Sequence, residues 1–247
     1  MSGPHTNPIL VVAFCSVATL PVGGARQDEK MVPVHLEPRH QLVFDSPATR
    51  ILDVKIPPGD TTLFHTHSDP ILYVTMSTSQ TRNQNVGAEW SGTAPAAVAA
   101  PVGQPRVVPS NPPGRIMSTT SYGDKPQTHR VNNIGSSLFR LIGITNASAG
   151  DVNPTPSADF SAKPEVDNRW FRGYRWSLSA EPTAEHRHAN PVAIVAVTGG
   201  AVATVGANKT TLAQPGAFVF VESNQPHQLE GAGADAQVVE IEVRRPR

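Results

Sequence analysis

Residues 59–74 read GDTTLFHTHSDPILYV, and residues 180–195 read AEPTAEHRHANPVAIV. Laid over each other with His65 on His186, both carry the pattern H-x-H-x-D/N-P followed by a hydrophobic run, so the chain holds an internal repeat. Along an extended strand, residues two apart face the same way. His65 and His67 therefore point to one side, as do His186 and His188. The runs that follow, Ile71 to Met76 and Val192 to Val197, are short and rich in β-branched residues, which reads as strand. Further strands are expected at Arg50 to Ile56, Leu138 to Ile144, Ala217 to Val221 and Val238 to Val243, each bounded by Gly, Pro, Asn or Ser. No stretch has a sustained helical period with caps. The predicted fold class is all-β, a sandwich or barrel.

Composition agrees. The chain of 247 residues has 24 prolines and 19 glycines, punctuation that disfavours long helices. Hydrophobic residues are 38%, enough for a packed core at this length. Lys plus Arg equals Asp plus Glu at 20, so the formal charge is zero, which argues against the clustered positive footprint of a nucleic-acid binder. A single cysteine excludes a disulfide framework and a cysteine-based zinc site within the chain. There is no G-x-S-x-G elbow, no P-loop and no dinucleotide fingerprint.

The nine histidines are the informative residues. Each half holds one further histidine after a Pro-containing turn, His129 in the first and His227 in the second. The first half has the longer gap before it, and the surplus fits the Ala/Pro/Gly/Asn-rich stretch from Ser77 to Arg115, with Trp90 as an anchor. If the histidine-bearing face is a barrel interior, His65, His67 and His129 converge in one half and His186, His188 and His227 in the other. Three neutral imidazole nitrogens make a facial site for a divalent first-row metal, with positions left for water or substrate. The competing reading is a solvent-filled pocket lined by polar residues. His5, His35 and His40 read as surface or loop residues, and Asn133 as a turn residue.

These motifs resemble the cupin superfamily in a two-cupin arrangement. The superfamily's first motif is G-x5-H-x-H-x3,4-E-x6-G. Gly59 to His67 matches its opening, and His186, His188 and Gly199 match parts of it in the second half. The second motif, P-x-G-x2-H-x3-N, is represented by His129 with Asn133 and more loosely by His227, after the strand that starts at Pro215-Gly216. The resemblance implies two tandem small β-barrels (double-stranded β-helix jelly rolls), each holding any metal inside. The superfamily's glutamate ligand is missing: its positions fall on Ile71 or Leu72, and on Val192 or Ala193. Asp69 is a weaker substitute. Both halves therefore read as three-histidine sites, a ligand set shared with dioxygenase-type cupins. The resemblance points to Fe, Mn, Zn or Ni and to a small oxygen-chelating substrate, handled by an oxidoreductase or by a metal-dependent isomerase or lyase. The alternative is a non-catalytic, exported small-molecule-binding cupin. Cupins commonly pair through sheet edges, so a homodimer is compatible.

The expected organisation is a leader at 1–25, a barrel at 26–147 with an insertion at 77–115, a Pro/Ser/Asp-rich linker at 148–165, and a second barrel at 166–247. The apolar run from Ile9 to Leu20 is shorter than the roughly 20 residues a bilayer span takes. With Gly23 and Ala25 behind it, it reads as a signal peptide cleaved after Ala25, giving a periplasmic or secreted protein. The competing reading is a buried first strand in a cytoplasmic protein. The stretch from Arg169 to Leu178 is aromatic and basic. It reads as packing between barrels or, less simply, as a pocket wall offering an arginine to an anion. Arg140 shares that ambiguity, and Arg244 to Arg247 read as a solvated tail.

Overall fold

Every second residue of the last strand, Gln237–Val243, is apolar (Val239, Ile241, Val243), yet Val238, Glu240 and Glu242 between them are equally buried. Both faces of this strand are thus covered, and that two-sided burial organises the molecule. The computed structural model describes residues 30–91, 111–148, 162–233 and 235–245. The leader and most of the linker lie outside the described residues.

The first half packs two sheets together. One contains β1 (Met31–Pro33), β4 (Phe64–His67), β8 (Gln127–Asn133) and β6 (Thr81–Asn85), in that spatial order. The other contains β2 (His40–Ser46), β3 (Thr49–Ile56), β9 (Phe139–Thr145), β5 (Ile71–Ser77) and β7 (Ile116–Thr119), again in spatial order. Leu52, Val54, Ile56, Ile71, Leu141 and Val131 meet between them. Strand β6 lies inside the stretch expected as an excursion. Trp90 does anchor it, with the Arg82 guanidinium 4.6 Å and the Arg130 guanidinium 5.1 Å from its ring.

The second half repeats the plan. Its larger sheet is ordered β10 (Val166–Asp167), β11 (Phe171–Ser177), β17 (Gln237–Val243), β12 (Val192–Ala196), β15 (Phe218–Val221). Its smaller sheet is ordered β14 (Asn208–Leu212), β13 (Ala201–Val205), β16 (His227–Gly231). Ile194 and Val238 pack against Ala203, Leu212 and Leu229 across the interior. The protein is all-β, two jelly-roll-like halves in tandem. Among the described residues no helix is long and apolar enough to cross a membrane.

The two five-stranded sheets lie back to back. Ile51, Leu72, Val74, Met76, Ile142 and Ile144 meet Phe171, Ala193, Val195, Val197, Val239, Ile241 and Val243, and none is more than 7% exposed. At roughly 1.5–3 kcal/mol for each large side chain fully buried, this junction is a core in its own right rather than a hinge. Arg140 crosses its edge. It grips Asp53 with two bonds of 2.9 Å and donates to the Pro215 carbonyl at 2.9 Å. Burial opposes the charge on Asp53, but Arg140 and Lys55 prevail and hold its carboxyl below the usual range. Arg244 and Arg245 are not a solvated tail, and Arg247 lies outside the described residues. Arg244 is 2% exposed, and Arg245 reaches the Ala48 carbonyl, Thr49 and Ser148 of the first half.

Strand β11 serves two faces. Phe171 joins the junction core, while Trp176 and Tyr174 lie 5.6 Å, ring to ring, from His186 and His188 respectively. Its arginines are committed to neighbours, Arg172 to Asp167 and Arg175 to Glu165 and the Gly114 carbonyl. The expected packing role holds for one face only, and neither arginine stands as an anion clamp.

Candidate metal centres

In the first half, β4 and β8 run antiparallel with His65 directly opposite His129. Cross-strand partners share a face, so the two imidazoles meet inside. Their ring centroids are 4.7 Å apart, and His67 lies 5.1 Å from His65 and 5.0 Å from His129. The Nδ1 of His65 is 2.9 Å from the Leu63 carbonyl, which can only accept. The proton therefore sits on Nδ1 and the lone pair on Nε2. That Nε2 is buried and has no hydrogen-bond partner. Burial, together with the neighbouring imidazoles, pushes His65 down to about 2, His67 to about 3 and His129 to about 4. All three are neutral at ordinary pH, the form that ligates metal.

His40 does not lie on the surface as expected. It is 5% exposed, and its ring sits 4.4 Å from His65 and 6.3 Å from His67. Ligand nitrogens of His40, His65 and His67 all lie within 4.8 Å of one another; His129 is not part of that set, although its ring stands 4.7 Å from that of His65. The His40 Nδ1 is 2.6 Å from Glu37, a buried carboxylate that also accepts the Arg39 and Leu63 amides. Burial disfavours the charge on Glu37, but His40 and the two amides outweigh it and hold its carboxyl below the ordinary value. Tyr122 stacks on His67 at 4.8 Å. Asp69 stands apart, 3.6 Å from Arg50 and half-buried, outside the cluster of ligand atoms. Asn133 pins a turn: its amide donates to the Ile56 and Ser137 carbonyls, and its oxygen accepts from Ser79 and the Gly135 amide.

The second half repeats this geometry. His186 and His227 pair through mutual backbone bonds of 3.0 and 2.9 Å, with ring centroids 4.3 Å apart. His188 lies 5.6 Å from each. The Nδ1 atoms of His186 and His227 donate to the Ala184 and Gln225 carbonyls, again turning Nε2 inward. Here the expectation of a centre without a carboxylate fails. Glu240, 0% exposed, brings its carboxylate to 3.2 Å from His186, 3.0 Å from His227 and 3.7 Å from His188, and takes a 2.7 Å bond from the Trp176 indole. The four ligand atoms of His186, His188, His227 and Glu240 lie within 4.8 Å of one another. Glu242, held by Asn190 at 2.6 Å, reaches to 3.6 Å from the other nitrogen of His188. Burial opposes charge on His188, yet Glu240 and Glu242 override it and raise the imidazole to about 9. Burial likewise opposes the Glu240 charge, but the three histidines hold its carboxyl well below the carboxylate range. A cation here would replace a proton between His188 and Glu240.

The sequence motif points to a glutamate on the strand after the histidine pair. The carboxylate comes instead from the neighbouring strand, where Glu240 faces Ile194. The alternation of VVEIEV carried the signal, since Glu240 and Glu242 share a face. With Val239, Ile241 and Val243 on the opposite face, the glutamate face reads as solvent unless both sides of the strand are known to be covered. His40 left no such trace, because the rest of β2 is exposed or half-buried.

No protein-family model and no curated protein matches the chain. Solved structures do. AerE from Microcystis aeruginosa superposes with a TM-score of 0.56 at 12% identity, over 85% of this chain and 95% of that one. A single-residue variant of salicylate 1,2-dioxygenase from Pseudoaminobacter salicylatoxidans gives 0.50 at 10% identity, over 80% and 71%. A cupin 2 conserved barrel domain protein from Leptotrichia buccalis gives 0.45 at 12% identity, over 82% and 86%. At these identities the likeness is one of fold.

Proposed function

We propose, from the cupin fold this chain has and the histidine clusters in both halves, that it is a metal-dependent protein. His65, His67 and His129 hold an ion in the first half, and His186, His188 and His227 hold one in the second. A divalent first-row ion (iron, manganese, zinc or nickel) would supply Lewis acidity toward substrate oxygens and, where redox-active, access to electron transfer. The carrying observation is the His65 Nε2. It is a buried nitrogen with no partner, its tautomer fixed by the Leu63 carbonyl, pointed at other imidazoles. Leaving such an atom unsatisfied costs about 1–3 kcal/mol, which a metal ion would recover.

The two centres suit different tasks. The second carries Glu240, with Glu242 behind His188, so its protein groups neutralise most of the charge of a dication. The first presents neutral imidazoles and leaves more positive charge for an anionic, oxygen-chelating small molecule. The first centre is therefore the reactive one in this reading, and Leu63 and Glu37 orient the imidazoles around it. The reaction class is oxidoreductase of the dioxygenase type, for which the fold shared with a salicylate 1,2-dioxygenase is support at the level of architecture, or isomerase or lyase chemistry through the same Lewis acid.

Elemental analysis of the purified chain, before and after reconstitution, tests this. The expected result is bound metal, with one ion lost in His65→Ala and the other lost in His186→Ala. A chain that carries no metal and takes none up on reconstitution refutes the proposal.

A further inference from the structure

Glu240 marks a position in the repeat that the first half fills differently. Across the antiparallel ladders, Glu240 faces Ile194 on β12 and Tyr174 on β11. The same position in the first half, opposite Tyr73 on β5 and Leu52 on β3, is Gly143. Glycine offers no donor there, and a Cβ built on Gly143 would lie 3.2 Å from the Ile71 Cδ1 and 3.3 Å from the Tyr73 ring, so any side chain would have to push both aside. The first cluster cannot draw its fourth donor from the last strand.

His40 comes from β2, an edge strand of the same sheet. It is the only buried residue of β2, whose other positions are exposed or half-buried. Its ring meets His65 at 4.4 Å, about the separation of His186 and His227, at 4.3 Å. Its Nδ1 is held by an acceptor, as in His65, His186 and His227, and this leaves Nε2 as the ligating nitrogen. The acceptor is a carboxylate rather than a carbonyl, which makes an imidazole a stronger donor to a metal. Burying a glutamate and a histidine in a barrel costs several kcal/mol that an apolar pair would avoid, so packing alone does not account for them.

From this exchange we infer that the first centre is a four-histidine site, in which His40, oriented by Glu37, takes the ligand role that Glu240 takes in the second half. The inference rests on the metal-binding reading above and adds a ligand that the repeat does not encode. Glu37 is a positioning residue: it touches His40, not the ion.

Metal affinity of the full chain, measured by chelator competition, tests it, with the visible spectrum of the Co(II)-loaded protein as a second readout. The key variant is His40→Asn, whose amide keeps the hydrogen bond to Glu37 but is a poor ligand; Glu37→Gln leaves His40 in place. Both are expected to weaken one of the two binding steps about 10–100-fold, leave the other unchanged, and alter the Co(II) spectrum. His65→Ala should abolish that same step. The inference is overturned if His65→Ala abolishes a step while His40→Asn binds Co(II) with wild-type affinity and spectrum. In that case the metal-binding reading stands and only the fourth ligand falls. A wild-type chain that binds no metal removes both.

Discussion

Metal-free protein should lose stability on mild acidification, and the loss can be sized from three first-half histidines. His65 and His67 are buried, with folded-state values of about 2 and about 3. In the unfolded chain each titrates near 6.5. Below that value the unfolded state binds protons that the folded state refuses. Stability is therefore fully present above about 6.5 and is lost as pH falls toward the folded values. Between about pH 7 and about pH 5 each of these histidines removes about 2 kcal/mol, and His129, lowered to about 4, removes about as much, so about 6 kcal/mol together. For a chain of this size that lowers Tm by about 12–24 °C. His188 has the opposite sign. Its folded value is raised to about 9, so its contribution is complete below about 6.5 and is lost as pH rises through 9. The stability of the chelator-treated protein should peak near neutrality. Thermal melts followed by circular dichroism across this range test the argument. In His65→Gln the acid-side fall should shrink by about a third. A flat Tm between about pH 7 and about pH 5, or an acid-side slope untouched in His65→Gln, would refute the reasoning.

Glu240→Gln should abolish metal retention at the second centre while the first keeps its ion, read by elemental analysis, because the amide cannot balance the cation's charge. Ile241→Ala, in the junction core, should cost about 2–5 kcal/mol in urea unfolding and still give one transition for both halves. Gly216→Ala should destabilise the chain. Its φ is +80°, and a new Cβ would fall 2.6 Å from the Arg140 guanidinium that bridges the halves; an unchanged urea midpoint would contradict this.

The strands at Arg50 to Ile56, Ile71 to Met76, Leu138 to Ile144 and Val192 to Val197 were legible because alternation and turn residues are local signals, and the structure places strands there within a residue or two. The gathering of His65 with His129, and of His186 with His227, was legible because the chain states it twice. Glu240 was not, since a carboxylate between valines and isoleucines looks outward-facing until a second sheet is known to cover the other side. His40 and Arg244 failed for a related reason: each is polar, near a loop or a terminus, and buried by distant chain that local patterning does not report. Strand β6, TRNQN, lacks the apolar alternation that marks strands, and is made one by pairing with β8.

The back-to-back sheets also limit how this gene can be cut. Expressed alone, either repeat would present a flat wall of isoleucine, leucine, valine and phenylalanine to water, the kind of uncovered surface that self-associates. A duplication that began as two copies has thereby made each copy the other's lid, and chains split at the linker should go to inclusion bodies unless both pieces are made together.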